Sequence, residues 1–166
     1  IQSPTDNVAP DIVMIDDSLG LVPYTGSGVI VAFSPATGEV KGKIRTGGKP
    51  APIVSYADGR KLAAVSVLDN RIFIVDVNSL THEATYTFSG SFGFGSRLAL
   101  SPDETTGYVS STATGEVIKF SLATGAELGR LQGLSAPAQI TLTGDGRTLM
   151  IVDTVAENVV IADAAS

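Results

Sequence analysis

The sequence predicts an all-β protein built from four similar repeats of about 42 residues each. One turn residue recurs at spacings of 41, 45 and 42 residues: Asp17, Asp58, Asp103 and Asp145. A second turn position recurs at spacings of 42, 45 and 42 residues: Ser34, Asp76, Ser121 and Asp163. The 18 Gly and 8 Pro are spread between short apolar runs, which is typical of many strands joined by turns. Two markers that keep the same register predict a repeat architecture.

Each repeat is predicted to contain four short strands. In the second repeat, apolar residues 53–56 form the first strand and lead into a tight turn at Asp58-Gly59. The second strand, "LAAVSV", follows directly, and a polar loop leads to the third strand, "RIFIVDV", which is rich in β-branched residues. The fourth strand mixes apolar residues with charged ones, as "VKGKIRT" does in the first repeat.

The gradient of hydrophobicity across each repeat indicates how the sheets are arranged. Inner strands are almost continuously apolar, as expected for sheets that are covered on both faces by their neighbours. A helical alternative fails, because no window keeps apolar residues at helical spacing without a Gly or Pro. The predicted fold is a β-propeller of four-stranded antiparallel blades, the last of which lacks its outer strand. The blades are expected at approximately residues 11–47, 52–90, 97–133 and 139–166.

Composition excludes several classes of partner and chemistry. A net charge of −6 and a pI of about 4.6 argue against nucleic acid and against anionic membrane surfaces. No apolar stretch approaches the roughly 18 residues that a membrane span requires. Cysteine is absent, so disulfides, thiolate catalysis and Cys-ligated zinc are excluded. The first residue is not Met, so we expect the chain to begin inside a longer product.

Residues 43–90 carry a recognisable repeat pattern. They read "KIRTGGKPAPIVSYADGRKLAAVSVLDNRIFIVDVNSLTHEATYTFSG", and "LALSPDETTGYVSS" at 98–111 repeats its central block. The pattern resembles the YVTN family of β-propeller repeats. Residues 140–154 match it more loosely, and the first repeat departs furthest, with Asp16-Asp17-Ser18 in place of an Asp-Gly turn. The resemblance implies a propeller fold, and it implies a secreted, periplasmic or cell-surface location.

The repeat number differs from what that family commonly shows. Its members commonly form seven-bladed rings, whereas this sequence contains four repeats and the last stops at "VVIADAAS". An open propeller would leave an apolar blade face and an unpaired strand edge in water. We therefore expect either the remaining blades of a larger propeller or self-association of two copies. A closed four-bladed ring is the alternative, and it would need a fourth strand from elsewhere.

The resemblance also implies where ligands would bind. Loops that join consecutive blades, and loops between second and third strands, would surround the mouth of a central channel. The longest such loop, "FSGSFGFGSR", contains Phe92 and Phe94, which we predict to form an aromatic lip that stacks on a ligand. The alternative is that both rings fold down and cap the neighbouring blade.

A polar ring is predicted at the same mouth. The position six residues before each turn Asp is polar in three of four repeats, at Asp11, Arg97 and Gln139, and Pro52 occupies it in the other. Such a ring could hold an anionic or sugar-like ligand, with Arg97 as the positive charge. The alternative is that these residues are solvated or form salt bridges between blades. Other polar residues are expected on this face: Lys49, Asp69, Arg71, Glu157 and Asn158.

No set of residues predicts catalysis, a cofactor or a metal site. His82 is the only histidine of the sequence and is expected in a surface turn, while Asp16-Asp17 and Asp103-Glu104 are expected to form turns on separate blades. We therefore expect a non-catalytic module that binds a protein, a glycan or a small ligand. The alternative is a propeller-type hydrolase or lactonase, whose channel acids would come from missing blades or from a second copy.

Overall fold

The computed structural model describes residues 11–165, and these form fifteen strands in four antiparallel sheets. Sheet 1 contains β1 (Val13–Asp16), β2 (Leu19–Tyr24), β3 (Val29–Phe33) and β4 (Val40–Arg45). Sheet 2 contains β5 (Pro50–Tyr56), β6 (Lys61–Ser66), β7 (Arg71–Asp76) and β8 (Thr81–Thr87). Sheet 3 contains β9 (Leu98–Leu100), β10 (Thr106–Ser111), β11 (Glu116–Ser121) and β12 (Glu127–Leu131). Sheet 4 contains β13 (Pro137–Leu142), β14 (Thr148–Asp153) and β15 (Asn158–Asp163).

Strands pair in chain order within every sheet, so each sheet is an antiparallel meander. This confirms the prediction of four-stranded blades with a last blade of three strands. No helix long and apolar enough to cross a membrane occurs between residues 11 and 165. The strand β5 begins at Pro50, two residues before the start expected for that blade.

The chain divides into two compact units, Ile1–Thr85 and Tyr86–Ser166. In the first unit, one apolar cluster joins sheet 1 to sheet 2, with Leu21 and Ile30 on one side and Leu62 and Phe73 on the other. All four of these side chains are 0% exposed. Burial of a side chain of this size contributes about 1.5–3 kcal/mol, so blade-to-blade packing stabilises this unit.

The second unit uses the same arrangement. Tyr108 and Val117 of sheet 3 pack in one cluster with Leu149 and Ile151 of sheet 4. The Tyr108 hydroxyl donates a hydrogen bond of 2.9 Å to the carbonyl of Ala164, which fastens the segment after β15 to sheet 3. In both units, therefore, the second and third strands of one blade receive the apolar face of the next blade.

Two of the four recurrent aspartates, Asp103 and Asp145, accept hydrogen bonds within the turns that the repeat predicts. Asp103 accepts hydrogen bonds from the hydroxyl of Ser101 and from the backbone amide of Thr105. Asp145 accepts the equivalent bonds from Thr143 and from the backbone amide of Arg147. These bonds, led in each case by the hydroxyl donor, hold the pKa of both carboxyl groups below its ordinary value.

The last residue of each second strand in sheets 2 to 4 fastens the loop that connects to the preceding blade. The Ser66 hydroxyl accepts a bond of 2.9 Å from the Lys49 amide. In sheet 3, the Ser111 hydroxyl donates a bond of 2.6 Å to the Ser91 carbonyl. In sheet 4, Asp153 accepts bonds of 2.7 and 2.9 Å from the amides of Ser135 and Ala136. A short polar side chain at this position thus positions each connecting loop.

A buried ion pair stabilises sheet 3. The Arg130 Nη1 atom lies 2.6 Å from Glu116 Oε1, and their side chains are 15% and 7% exposed. Arg130 Nη2 also contacts Glu127 Oε2 at 2.8 Å, and Thr114 donates a bond to Glu116. Burial raises the pKa of Glu116, but the bonds from Arg130 and Thr114 outweigh it and hold that pKa below its ordinary value.

Replacing Arg130 by Met should destabilise the fold, because it leaves the buried Glu116 carboxylate without its cation. We expect a loss of about 3 kcal/mol in the free energy of unfolding, measured by urea denaturation. The matched control is Arg147→Met in the same unit, since Arg147 is exposed and should change stability by about 0.5 kcal/mol or less. Equal losses in the two variants would contradict the structural role of the ion pair.

Asp153 should contribute to stability in a pH-dependent way. Its side chain is buried, and the bonds from Ser135 and Ala136 hold its pKa below the ordinary value. A lowered folded pKa gives stability that is present above the unfolded pKa, about 3.9, and is lost as pH falls through the folded pKa. Thermal melts of Asp153→Asn across the acid range should therefore fall less steeply with pH than those of the wild type. Identical slopes would refute this contribution.

Candidate functional site

Three loops of the first unit line an open cleft of about 390 Å³. They are the β2–β3 turn, the β4–β5 connection and the β6–β7 loop, which belong to the two loop classes predicted to bind ligands. The lining consists of small loop residues and charged side chains: Gly26, Ser27, Gly28, Gly47, Gly48, Arg45, Lys49, Asp69 and Arg71. We call this feature the cationic cleft, because three of its four charged residues are basic.

Two glycines allow the loops to approach each other closely. Gly28 has a φ of +65°, and a Cβ atom there would lie 2.5 Å from the carbonyl oxygen of Gly48. A Cβ atom on Gly48 would lie 2.6 Å from both the Phe73 ring and the Ser66 hydroxyl. Thr46 fastens the same two loops, since its amide and its hydroxyl both donate to the Gly28 carbonyl. The wall of the cleft is therefore held by the close approach of these loops and by the two hydrogen bonds from Thr46.

The guanidinium of Arg71 is held in place by its neighbours. Its Nη2 atom donates to Asp69 Oδ2 at 3.0 Å and to the Gly47 carbonyl at 3.2 Å. Its Cζ atom lies 5.3 Å from the centroid of the Phe73 ring, a cation–π distance. Within residues 11–165, these hydrogen bonds use Nη2 alone, so Nη1 and Nε keep donors for a ligand. An arginine fixed in this way loses little side-chain entropy on binding.

Asp69 positions Arg71 and does not neutralise the cleft. Its carboxylate accepts a bond of 2.7 Å from the Ser66 hydroxyl. That bond and the contact with Arg71 hold the pKa of Asp69 below its ordinary value, so it stays charged at neutral pH. Arg45 and Lys49 are both exposed, and neither forms an ion pair with a described residue. The cleft is therefore locally basic in a chain whose net charge is −6.

Among the predicted ligand-binding residues, Lys49 lines the cleft, and so do Asp69 and Arg71 from the same predicted face. Asp11 belongs to the same unit but lies outside the lining. Its carboxylate accepts bonds from the amides of Ile12 and Ile53, so it connects β1 to β5. The ligand role predicted for Asp11 therefore stays a prediction.

The second unit contains the other predicted polar residues. Arg97 is half-buried, and its Nη1 atom donates to the Ser96 carbonyl at 2.9 Å. The Arg97 amide donates to the Ser110 hydroxyl, which fastens the start of β9 to β10. Gln139 is an exposed residue of β13. Their ligand-binding role also stays a prediction.

The structure corrects the prediction of two exposed rings in the 88–97 loop. Phe92 is 1% exposed, and its ring packs 6.1 Å from that of Phe88. The reason is hydrophobic: a ring that can reach the neighbouring aromatic core is buried there. Phe94 is 68% exposed, and it stands on a tight turn in which the Ser96 amide donates to the Gly93 carbonyl. Only the second ring is thus available to a partner.

His82 lies on a strand and not in the turn where it was expected. It is the second residue of β8, because the turn closes at Leu80, whose φ is +53°. The imidazole is exposed, and its Nε2 atom lies within hydrogen-bonding distance, 2.9 Å, of both the Ala84 carbonyl oxygen and the Thr85 hydroxyl. Within residues 11–165, no group of three or more His, Asp or Glu side chains is placed to share a metal ion.

Sequence reasoning missed Arg45. The sequence predicts that Arg45 belongs to the outer strand of its blade, and the structure agrees: it is the last residue of β4, directly before the loop that lines the cleft. Its pairing partner is Val29, the first residue of β3, so it stands at the same end of sheet 1 as the β2–β3 turn. The signal was present in the repeat register, which places residue 45 at the boundary between the outer strand and the connecting loop.

No known protein family and no curated protein matches the sequence. The structure is similar to hydrazine synthase of Kuenenia stuttgartiensis, with a TM-score of 0.82 and 18% identity, over 99% of this chain and 49% of that chain. It is also similar to the Cps50 (Swd1) β-propeller domain of Myceliophteria thermophila, with a TM-score of 0.79 and 17% identity, over 95% and 54% of the two chains. The chain spans about half the length of these structures. The likeness confirms the β-propeller fold.

Gly48→Ala should disturb the cationic cleft, because the added methyl group meets Phe73, Ser66 and Asp69 within 3 Å. We expect a loss of about 1–3 kcal/mol in the free energy of unfolding, measured by urea denaturation. Gly47→Ala is the matched control: its φ is +70°, but its Cβ meets nothing within 4 Å. The control should lose only the cost of backbone strain, about 1 kcal/mol. A smaller loss for Gly48→Ala than for the control would contradict the close approach of the loops.

Proposed function

We propose that this propeller segment is a non-catalytic binding module that takes an anionic group, a carboxylate or a phosphate, in the cationic cleft. The observation that carries the proposal is the fixed guanidinium of Arg71, which Asp69 and the Gly47 carbonyl hold through one nitrogen while two others keep free donors. Arg45, at the end of β4, and Lys49, in the connection that follows it, add two exposed charges. A charge-assisted pair with a fixed arginine is the usual basis of such recognition.

The charge distribution favours a single anionic group over a polyanion. A nucleic acid would meet a local basic patch of three side chains in a chain of net charge −6, and long-range repulsion would oppose binding. A carboxylate or phosphate small enough for a cleft of about 390 Å³ feels mainly the local charges. Such a group can belong to a free small molecule, to a glycan or to a protein side chain.

The non-catalytic assignment is supported by the roles of the polar residues in the cleft. Asp69 is engaged by Ser66 and Arg71, so its carboxylate serves to orient the arginine. His82 contacts Ala84 and Thr85 and is absent from the cleft lining. A screen for lactone hydrolysis tests the alternative function: turnover that is lost on Arg97→Ala would favour a hydrolase. The resemblance of residues 43–90 to YVTN repeats supports an extracytoplasmic location.

Binding of inorganic phosphate and of citrate, measured by titration calorimetry or by NMR shifts, tests the proposed site. We expect Arg71→Met to weaken binding about tenfold or more, which corresponds to about 1.4 kcal/mol for one lost charge-assisted contact. Arg45→Met and Lys49→Met should weaken it less, because their side chains are not fixed. Added salt should weaken binding in the wild type.

Arg60→Met is the matched control for that measurement. Arg60 is an exposed arginine of the same unit that pairs with Asp58 outside the cleft, so its loss should leave affinity unchanged. Equal affinity in wild type and Arg71→Met would overturn the assignment. The two probes separate the sources of the anion, since a preference for citrate favours a carboxylate and a preference for phosphate favours a phosphoryl group.

A further inference from the structure

The sequence contains two Asp-Gly-Arg segments, at residues 58–60 and 145–147, and each lies in the turn between the first two strands of its sheet. An aspartate that precedes glycine can react with its own main chain. The glycine amide nitrogen can reach the carboxyl carbon of the aspartate, because glycine has no side chain to obstruct the approach. Since the two segments share the same three residues, a difference in their reactivity must come from the folded structure.

The fold restrains both reacting groups of the second segment. Asp145 Oδ1 accepts a hydrogen bond of 2.6 Å from the Thr143 hydroxyl and one of 3.1 Å from the Arg147 amide. The Gly146 amide, which would be the nucleophile, donates a bond of 2.8 Å to the Thr143 carbonyl. These bonds must break before the carboxyl carbon and the amide nitrogen can join, so the reaction at this turn is opposed.

The first segment has neither restraint. Among residues 11–165, the Asp58 carboxylate accepts no hydrogen bond and the Gly59 amide donates none. The Asp58 side chain is 98% exposed, and its Oδ2 atom lies 3.8 Å from Arg60 Nη2, an exposed contact that holds the carboxylate only weakly. The turn is closed by the Arg60 amide, which donates to the Ala57 carbonyl. Asp58 has a φ of +53°, a left-handed conformation that favours glycine, so the fold gains little by holding this residue in place.

We propose that Asp58-Gly59 is a site of spontaneous isoaspartate formation in the folded protein, and that the fold protects Asp145-Gly146 from the same reaction. The Gly59 amide nitrogen bonds to the Asp58 carboxyl carbon, one carboxyl C–O bond breaks, and its oxygen leaves as water together with the amide proton. Water then opens the cyclic imide at either carbonyl carbon. One product is the original aspartate, and the other is isoaspartate, whose main chain runs through the former side-chain carboxyl. The mass is unchanged and no co-reactant besides water is needed.

The position of this turn indicates what the modification does to the fold. A Cβ atom on Gly59 would lie 2.8 Å from Cγ2 of Ile15, so the turn packs closely against β1 of sheet 1. Ile15 itself packs against the apolar cluster that joins sheets 1 and 2. Isoaspartate adds one carbon to the main chain of the turn, so we expect this contact to loosen. The cationic cleft is lined by other loops, and the inference therefore does not depend on the proposed function.

Tryptic peptide mapping of the full chain, incubated folded at neutral pH, tests the proposal. Arg60 and Arg147 end different tryptic peptides, so each segment is followed separately, by a chromatographic shift at unchanged mass and by labelling with an isoaspartyl methyltransferase. We expect isoaspartate to form at Asp58 at least about fivefold faster than at Asp145, a factor that corresponds to one net hydrogen bond. In urea-unfolded chain the two rates should converge. Equal rates in the folded chain, or a faster reaction at Asp145, would overturn the proposal.

Two variants test the cause of the difference. Asp58→Gly removes the reacting carboxyl and suits the positive φ of the turn, so methyltransferase labelling of the peptide 46–60 should disappear. Thr143→Val keeps the β-branched shape but removes the hydroxyl that donates to Asp145, so isoaspartate formation at Asp145 should accelerate about fivefold. Labelling of the peptide 46–60 that persists in Asp58→Gly would contradict the assigned site. An unchanged rate in folded Thr143→Val would contradict the protective role of the hydrogen bond.

The loosened contact with sheet 1 has its own measurement. Wild-type protein aged until isoaspartate has accumulated should unfold at a lower urea concentration than fresh protein. Aged and fresh Asp58→Gly should unfold together, because this variant cannot form isoaspartate at the turn. An equal loss of stability on ageing in the wild type and in Asp58→Gly would show that the modified turn is not its cause.

Discussion

In sheets 2 to 4, the hydrogen bond between the end of the second strand and the adjacent connecting loop is the constraint on which the arrangement of these loops depends. Ser66, Ser111 and Asp153 occupy equivalent positions in sheets 2 to 4, and each contacts the connecting loop through a buried polar side chain. A buried hydroxyl or carboxylate left unpaired would cost 1–3 kcal/mol or more, so the loop must come to it. In sheet 2 this contact brings Gly48 against Phe73 and forms one wall of the cationic cleft.

The same repeat position is used in opposite ways by two blades. The first residue of the third strand is Arg71 in sheet 2 and Glu116 in sheet 3. Glu116 is neutralised by Arg130 in a pair that is nearly inaccessible to water, so its charge serves to stabilise the fold. Arg71 shares one carboxylate with Ser66 and keeps about a third of its side chain exposed, so its charge remains available to a ligand. The two pairs therefore differ in burial: the Glu116–Arg130 pair is largely buried, whereas the Asp69–Arg71 pair, which we propose to bind a ligand, is about one third exposed.

Blade-to-blade burial holds neighbouring sheets together. Each blade has two apolar faces, and in sheets 1 and 3 the face that receives the next blade is filled within the chain. Sheet 4 has the same alternation of residues in β14 and β15 but keeps Val159 and Ile161 exposed. Because apolar area contributes about 25 cal/mol per Å² when it is removed from water, the filled faces stabilise the stacking of one blade on the next.

The amino-acid sequence by itself determined the repeat, the strand order and the turn aspartates, because period, alternation and Asp-Gly chemistry are local properties of the chain. It also placed Lys49, Asp69 and Arg71 on one loop-bearing face through the repeat register. Only the tertiary structure decided which of those side chains meet and which rings are buried. Arg45 lines the cleft, and Phe92 is buried against Phe88. Both placements depend on how separate segments of the chain pack together. Burial and charge pairing are set by such contacts, and a single sequence does not specify them.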